Sequence, residues 1–263
     1  MIKFFRKIRF NLIGTKETGK YFKYAIGEIL LVMIGILLAL QVNNWNTEKQ
    51  NRHVERNYLK NLKADLEVDL NNLDSLSKDR TKKAESAFKL LKLHGATSIK
   101  ELISLDSLYY NVFVWTSFIP RTTTRQELIS SGQLNLIQSN RIKALILILN
   151  QQNDQIVVQR EHMRREYDHY LYDRTTANRT IFVGFDFETS IKTGEKILDA
   201  TLTNAQLELY FNETEFIQND RIIENGLKLA AGNNLFLKGL YEKMKQDIEV
   251  LIKLINEDLN HNS

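Results

Sequence analysis

The sequence predicts an all-α protein in which an N-terminal transmembrane helix continues into a long stalk helix and an elongated helical bundle. Three observations support this fold class. Residues 25–42, AIGEILLVMIGILLALQV, are apolar over a length that suits a membrane helix. Apolar residues recur at three- and four-residue intervals after that stretch. One proline and eleven glycines in 263 residues leave few turns between helices.

The apolar stretch is expected to be an uncleaved membrane anchor. As a helix it would be about 27 Å long, and the aromatic residues Tyr24 and Trp45 lie at its two ends, where the bilayer interfaces would be. A cleaved signal peptide and a buried helix of a soluble protein are the alternatives. The end of the stretch, LQVNNW over residues 40–45, lacks the small residues of a signal-peptidase site, which favours the anchor.

The distribution of charge predicts the orientation of the chain. Residues 1–42 contain seven Lys or Arg and two Glu, a net charge of +5, which leaves −1 of the total of +4 for the remainder. The positive-inside rule then predicts a basic cytoplasmic segment (1–24), a transmembrane helix (25–42) and an extracytoplasmic domain (43–263). The protein is therefore expected in the inner membrane, with most of the chain in the periplasm. The nearly neutral outer domain argues against nucleic acid as a partner.

The segment before the span allows two interpretations. Ile2, Phe5, Ile8 and Leu12 would lie on one side of a helix over residues 2–13, with basic residues on another side. Such a helix would lie on the anionic inner leaflet of the bilayer. The alternative is a disordered basic tail that only determines topology.

A stalk helix from Thr47 to about Leu93 is predicted first after the span. Its heptad register is irregular, so a coiled coil is compatible with the pattern but not required. No cysteine is present, so the outer domain depends on its apolar core alone. The leucines that recur along this helix are Leu59, Leu62, Leu66, Leu70, Leu73 and Leu76.

Capping signals predict where the next helices begin. Ser98 with Glu101 has the spacing of a capping box and opens a helix that ends near Ile119-Pro120. Thr124 with Glu127 has the same spacing and opens a short helix that stops at Ser131-Gly132. Further helices are expected from Ser139 to about Asn178, with Leu145–Leu149 buried on all sides, over about Asn204–Leu229 and over about Asn234–Leu259. Residues 180–187 are β-like in composition, which allows either a short strand or an extended segment along the bundle.

Four residues of the apolar stretch are candidates for a role beyond anchoring. Glu28 is an ionisable group within the span, which is either a site for a partner or a residue that reaches the head groups. Gly35 and Ala39 form a small-xxx-small pattern, with Gly27 about two turns earlier. Such a pattern lets two membrane helices approach closely, so it predicts packing against a second span.

The best metal candidate is a stripe of His162, Glu166, His169 and Asp173 on one helix face. Imidazole and carboxylate groups suit zinc or iron. The stripe points away from the apolar side of the same helix, however, and a second helix with a matching pair is missing from the sequence. A solvated helix face is therefore the preferred interpretation, and neither a metal nor a cofactor is expected.

Catalytic motifs find no support in the sequence. There is no cysteine nucleophile, no Gly-x-Ser-x-Gly and no glycine-rich phosphate loop. Aromatic residues cluster before the proline and again on the predicted helix after Ser139, which indicates packing between helices or, alternatively, a ligand pocket. These aromatic residues are Tyr109, Tyr110, Phe113, Trp115, Phe118, Tyr167, Tyr170 and Tyr172.

The motif YFKYAIGEI over residues 21–29, followed by GILLALQVNNWN over residues 35–46, resembles that of an uncharacterised family of bacterial single-pass membrane proteins. Tyr58-Leu59, Leu62 and the segment ELISSGQLNLI over residues 127–137 also fit its pattern. The resemblance is weaker after about residue 160. It implies an inner-membrane protein with a helical extracytoplasmic domain, and it supplies no catalytic residues.

The expected function is therefore a non-enzymatic one. The leading hypothesis is an interaction or scaffold protein that is anchored in the lipid bilayer. It would bind a protein partner, or a second copy of itself, through the span and the bundle. The alternative is an accessory ligand sensor that signals through a membrane partner. A tethered metalloenzyme would depend on the His162 stripe alone.

Overall fold

A computed structural model describes residues 18–183, 185–195 and 202–261 of the chain. The predicted membrane-surface helix over residues 2–13 lies outside the described residues. The chain divides into two units, Met1–Asn57 and Tyr58–Ser263. The described residues form the helices α1 (Thr18–Leu90), α2 (Ile99–Phe113), α3 (Thr123–Ser130), α4 (Asn140–Tyr167), α5 (Asp173–Asn178), α6 (Phe187–Thr193), α7 (Asn204–Asn219) and α8 (Arg221–His261).

The first of these helices contains the apolar stretch. Its most apolar window of eighteen residues has a mean hydropathy of 2.4, and none of that window is buried. By length and composition this part of α1 is able to cross a membrane. The prediction that the span and the stalk form one continuous helix is confirmed.

The second unit is built around one large apolar core. The leucine row of α1 faces this core, with Leu59 and Leu73 fully buried. Helix α4 packs along α8, and their apolar sides meet through residues such as Met163 and Met244. The all-α prediction is confirmed, since the described residues contain no β-strand.

The end of α2 differs from the prediction. The helix ends at Phe113 instead of continuing to Ile119-Pro120. The reason lies on α1, where the buried ammonium group of Lys83 donates to the carbonyl oxygens of Asn111 (3.0 Å) and Val114. Because these carbonyl oxygens accept hydrogen bonds from a buried cation, the helix ends here at Phe113.

One predicted capping box is confirmed in part and the other is wrong. Ser98 accepts the backbone N–H of Glu101, whereas the Glu101 carboxylate accepts the N–H of Thr97 instead of that of Ser98. Helix α3 ends at Ser130, as predicted, but its N-cap is Thr122, which makes no side-chain cap. The Thr124 hydroxyl donates to Asp65 on α1 at 2.6 Å, so a contact between helices replaces the local cap.

The helix after Ser139 ends at Asn178 as predicted, with an irregularity that the pattern did not indicate. Between α4 and α5 lies a π-helical turn, Asp168–Tyr172. Leu171 of this turn is buried, and Gly226 of α8 lies directly against it. In a helix a π turn widens the backbone by one residue, and such turns often accompany functional sites.

Three further predictions are wrong. Residues 180–183 and 185–187 form turns and the start of α6 instead of a strand. Leu147 and Ile148 are exposed, so α4 is not buried on all sides there. The final two helices divide at Asp220 instead of near residue 230, because the Asp220 carboxylate accepts the backbone N–H groups of Ile222 and Ile223 and caps α8.

Close packing of α8 on the π turn predicts a strong effect of one added methyl group. In Gly226→Ala the new Cβ would lie 2.8 Å from Leu171 Cδ2 and 3.0 Å from Tyr170 Cβ. We expect a loss of about 1–3 kcal/mol in the free energy of unfolding, measured by chemical denaturation.

The matched control is Gly232→Ala on the same helix. Nothing lies within 4 Å of its new Cβ. Because alanine favours the helix over glycine, we expect this variant to be more stable by about 0.5–1 kcal/mol. Equal changes in the two variants would contradict the close approach at Gly226.

Candidate functional site

An aromatic pocket lies where α2, the π turn, α5 and the chain after α5 meet. Its volume is about 180 Å³. Helix α2 supplies three of the rings and the π turn supplies a fourth. The residues that line it are Asp106, Tyr109, Tyr110, Phe113, Val114, Tyr172, Thr176, Arg179, Ile181 and Phe182.

The periodicity of α2 positions its aromatic side chains. Tyr109 faces the core and is buried, while the next residue, Tyr110, lies further around the helix and is exposed. Phe113, one turn later, packs edge-to-face on Tyr172 with ring centroids 6.1 Å apart. Among the aromatic residues singled out in the sequence, Phe118 and Tyr167 pack in the core, and four others line this pocket.

A buried arginine forms the polar part of this pocket. Arg179 follows α5 in extended conformation. Its Nη2 donates to Asp106 Oδ1, and its guanidinium carbon lies 4.9 Å from the centroid of the Tyr109 ring. Its Nε and Nη1 are buried and have no hydrogen-bond partner among the described residues. Each of these nitrogens has less than 1 Å² of accessible surface, so neither is presented to the cavity.

The opposite wall of the pocket carries backbone strain. Phe182 has a φ of +57°, which is rare for a residue with a large side chain. Its ring packs against Tyr110, with centroids 6.2 Å apart, and against Phe187 at 5.7 Å. Strain of this kind concentrates at functional sites, so it supports this region as the candidate site.

The electrostatics of the pocket favour binding over acid–base chemistry. Burial raises the pKa of Tyr109 to about 12, against the opposing effect of the nearby Arg179. The phenol is therefore neutral at physiological pH. Arg179 and Asp106 carry opposite charges and form an ion pair. The result is a mainly apolar cavity with an ion pair at one side.

A second cluster of buried charges lies between α1 and α3. Asp69 is 1% exposed, and its Oδ1 accepts the backbone N–H of Arg121 at 2.9 Å. Burial raises the pKa of Asp69 to about 6, although nearby Arg125 opposes the shift. Arg125 is also buried, and burial lowers its pKa. These groups connect two helices.

The metal candidates remain on a single helical segment. His162 Nε2 lies 3.1 Å from Glu166 Oε1, and Glu166 also accepts from Asn233 of α8. His169 belongs to the π turn and is exposed, as is Asp173 at the start of α5. Within the described ranges, no three His, Cys, Asp or Glu side chains come together as a metal site would require.

The candidate residues of the apolar stretch lie within α1. Nothing lies within 4 Å of the position of an added Cβ on Gly27 or Gly35. Ala39 is exposed and Glu28 is partly exposed. Their role in packing against a second span stays a prediction.

The sequence did not indicate Arg179, Asp106 or Phe182. Arg179 and Asp106 are 73 residues apart, and neither belongs to a recognisable motif. The aromatic run around Phe182 has a composition typical of a strand, which concealed its role as a pocket wall. The one usable signal was the cluster of aromatic residues on α2 and after residue 166.

Comparison with known proteins places the chain in a family. The model of a family of unknown function, DUF6090, matches residues 28–196, more than half of the chain. The chain belongs to this family. The DUF6090 match contains every residue of the aromatic pocket and ends before α7 and α8. Neither a curated protein nor a solved structure matches the chain.

The raised pKa of Asp69 predicts how stability depends on pH. Between about pH 4 and 6 the folded protein retains a proton on Asp69 that the unfolded chain has released. The contribution of Asp69 to stability therefore falls as pH rises through this window, by at most about 3 kcal/mol in total. We expect Asp69→Asn to remove this dependence on pH. The measurement is the free energy of unfolding in detergent micelles, by chemical denaturation between about pH 4 and 6.

Asp74→Asn is the control for this measurement. Hydrogen bonds from Lys78 and Lys245 lower the pKa of Asp74 to about 2, well below the window. This variant should keep the slope of the wild-type protein between pH 4 and 6. An unchanged slope in Asp69→Asn would show that Asp69 ionises normally.

The ion pair between Arg179 and Asp106 predicts that substitutions of the two residues have non-additive effects on stability. Arg179→Met removes the buried guanidinium group that donates to Asp106 and should cost about 3 kcal/mol of stability. The double variant Arg179→Met/Asp106→Leu removes both charges and should regain most of that loss. Additive losses in a double-mutant cycle, measured by denaturation, would contradict a direct interaction.

Proposed function

We propose that this protein is a membrane-anchored, non-enzymatic interaction protein. In this proposal residues 25–42 cross the inner membrane once, the N-terminus lies in the cytoplasm and the helical domain lies in the periplasm. The excess of Lys and Arg in residues 1–42 supports this orientation. The exposure of the entire apolar window of α1 supports a lipid environment for it.

A row of exposed apolar side chains on α8 is the observation that carries the proposal. Ile222, Leu229 and Phe236 follow one another at intervals of seven residues, and all are exposed. Val250 continues the row two heptads later and is also exposed. Seven-residue spacing keeps one side of a helix facing a partner helix, as in a coiled coil. Exposed rows of this kind mark sites of protein association.

The shape of this row favours a helix as the partner. Gly232 and Gly239 lie beside the apolar residues, and no atom lies within 4 Å of the position of a Cβ on either. Glycine at such positions allows the axis of a second helix to approach closely. The partner is therefore a protein with an apolar helix, anchored in the same membrane. Contacts through Gly27, Glu28, Gly35 and Ala39 of the span would strengthen the association.

Site-specific crosslinking in the native membrane tests this proposal. A photoreactive amino acid at Leu229 or Phe236 should crosslink to one defined membrane protein. The control position is Val158 on α4, which is 70% exposed and lies outside the row. Crosslinks of equal yield from Val158 would contradict a specific surface, and crosslinks only between copies of this chain would replace the partner by a homo-oligomer.

Substitutions on the same row give a second measurement. Leu229→Glu with Phe236→Glu places two charges where an apolar helix would pack, so recovery of the partner in mild detergent should fall at least about tenfold. Val158→Glu should leave the recovery unchanged. Because all three side chains are exposed, each variant should keep the melting temperature of the wild-type protein within a few degrees.

The second candidate function is an accessory ligand sensor, and the aromatic pocket favours it. A cavity with aromatic walls and an ion pair at one side is typical of a small-molecule site. A sensor would change its association with the membrane partner when the pocket fills. Crosslinking from Leu229 with and without a bound ligand distinguishes the two candidates, since only a sensor would respond.

A further inference from the structure

A polar cleft lies where the chain between α1 and α2 meets α7 and the first turn of α8. Its volume is about 750 Å³, which is within the range of about 300–1,000 Å³ that is typical of small-molecule sites. Its walls include residues 93–97, Phe211, Asn212, Glu215 and Glu224. The cleft shares no lining residue with the aromatic pocket, so the two sites are separate.

The wall formed by residues 93–97 is held against α7. Gly95 has a φ of +81°, a conformation that glycine adopts without strain. Its backbone N–H donates to Gln218 Oε1, and the backbone N–H of Ala96 donates to Thr214 Oγ1 at 3.3 Å. These two hydrogen bonds fix the wall on the helix that supplies the opposite side, so the cleft is formed before a ligand enters.

Three polar side chains of the cleft are accessible to a ligand. His94, Asn212 and Glu215 are exposed, and none of these side chains has a hydrogen-bond or ion-pair partner in the part of the chain that the structure describes. Asn212 and Glu215 lie three residues apart on α7, so they share one face of that helix. An imidazole, an amide and a carboxylate together offer both donors and acceptors to a bound molecule.

The charges in the walls favour a cation. Glu224 is paired with Lys228 at 2.5 Å, whereas Glu215 has no such partner among the described residues. No Lys or Arg is among the described residues that line the cleft. Phe211 lies one turn before Glu215 on the same helix face, and the face of an aromatic ring attracts cations. An ammonium group between this ring and the Glu215 carboxylate would interact favourably with both.

We propose that the cleft binds an amino sugar, a small molecule with one ammonium group and several hydroxyl groups on a ring. The ammonium group pairs with Glu215. The hydroxyl groups exchange hydrogen bonds with the side chains of Asn212 and His94, because a hydroxyl both donates and accepts. The C–H groups of the sugar ring pack on Phe211. An anionic ligand would be repelled by Glu215 and would find no cationic side chain in the described walls.

This inference goes beyond the proposed function and depends on neither the exposed row of α8 nor the aromatic pocket. If crosslinking at Leu229 and Phe236 failed, the partner proposal would fall and sugar binding in the cleft would be unaffected. If no sugar bound, the crosslinking result would likewise stand.

The test compares three probes with the full chain in micelles of a non-ionic detergent at low salt. The probe 6-amino-6-deoxyglucose has the ammonium group and the ring hydroxyls, glucose has the hydroxyls without the charge, and ethylammonium has the charge without hydroxyls. Titrations followed by ligand-observed NMR give the dissociation constants. We expect the amino sugar to bind about two- to fivefold more tightly than glucose, the effect of one solvent-exposed ion pair. It should bind at least about fivefold more tightly than ethylammonium because of its additional hydrogen bonds.

Variants connect this binding to the cleft. Glu215→Gln keeps the shape of the side chain and removes its charge, so the affinity for the amino sugar should fall to that for glucose. Asn212→Ala should weaken the binding of both sugars about threefold. The matched control is Glu208→Gln, two turns before Glu215 on α7, since Glu208 is exposed and lies outside the cleft. This control should change neither affinity. Circular dichroism melting verifies that each variant is folded.

Each other outcome would overturn the assignment. Equal affinities for the amino sugar and glucose would make the cleft a site for uncharged polyols. Equal affinities for the amino sugar and ethylammonium would reduce it to a surface that attracts any cation. No binding of the amino sugar up to tens of millimolar would mean that the cleft holds only water. Equal effects of Glu215→Gln and Glu208→Gln would place the bound sugar elsewhere on the protein.

Discussion

The burial of two cations on α1 is the constraint on which the arrangement of helices within residues 58–261 depends. Arg80 and Lys83 are 1% and 2% exposed, and a buried charge without hydrogen bonds is too costly to persist. Lys83 donates to the carbonyl oxygens of Asn111 and Val114, and Arg80 donates to that of Thr116 and to the side chain of Asn234. The end of a helix is a natural source of these acceptors, because its last carbonyls have no partner within the helix.

The position of the aromatic pocket follows from this arrangement. The Tyr167 hydroxyl donates to the carbonyl of Val112, so the last turn of α2 is held by α4 as well as by α1. Tyr109 and Phe113 belong to the same end of α2 and are positioned by these contacts. The buried cations that end α2 thus also place the rings of the pocket, although none of those cations belongs to it.

The sequence predicted the features that depend on local periodicity. The leucines of α1, the apolar side of α8 and the continuity of the span with the stalk all follow from the repetition of apolar residues. Features that depend on distant partners were not predictable. Lys83 decides where α2 ends, and Asp65 withdraws the Thr124 hydroxyl from a local cap.

The same division applies to the candidate site. Tyr109 and Tyr172 could be singled out from the sequence, because each belongs to a cluster of aromatic residues. A single arginine such as Arg179 after a helix does not, because its partner Asp106 is 73 residues away and only the fold brings the two together. The strained backbone of Phe182 is likewise a property of the fold, since nothing in its local sequence requires a positive φ.

The π turn contacts both the aromatic pocket and α8, the helix that carries the exposed apolar row. Tyr172 at its end lines the aromatic pocket, and Leu171, one residue earlier, lies against Gly226 of α8. Leu229, in the exposed row, is less than one turn from Gly226 along the same helix. A close-packed contact transmits small displacements because it has no free space to absorb them. A ligand that moves the Tyr172 ring therefore acts on the turn that supports α8, which is the physical route by which an occupied pocket would alter partner binding.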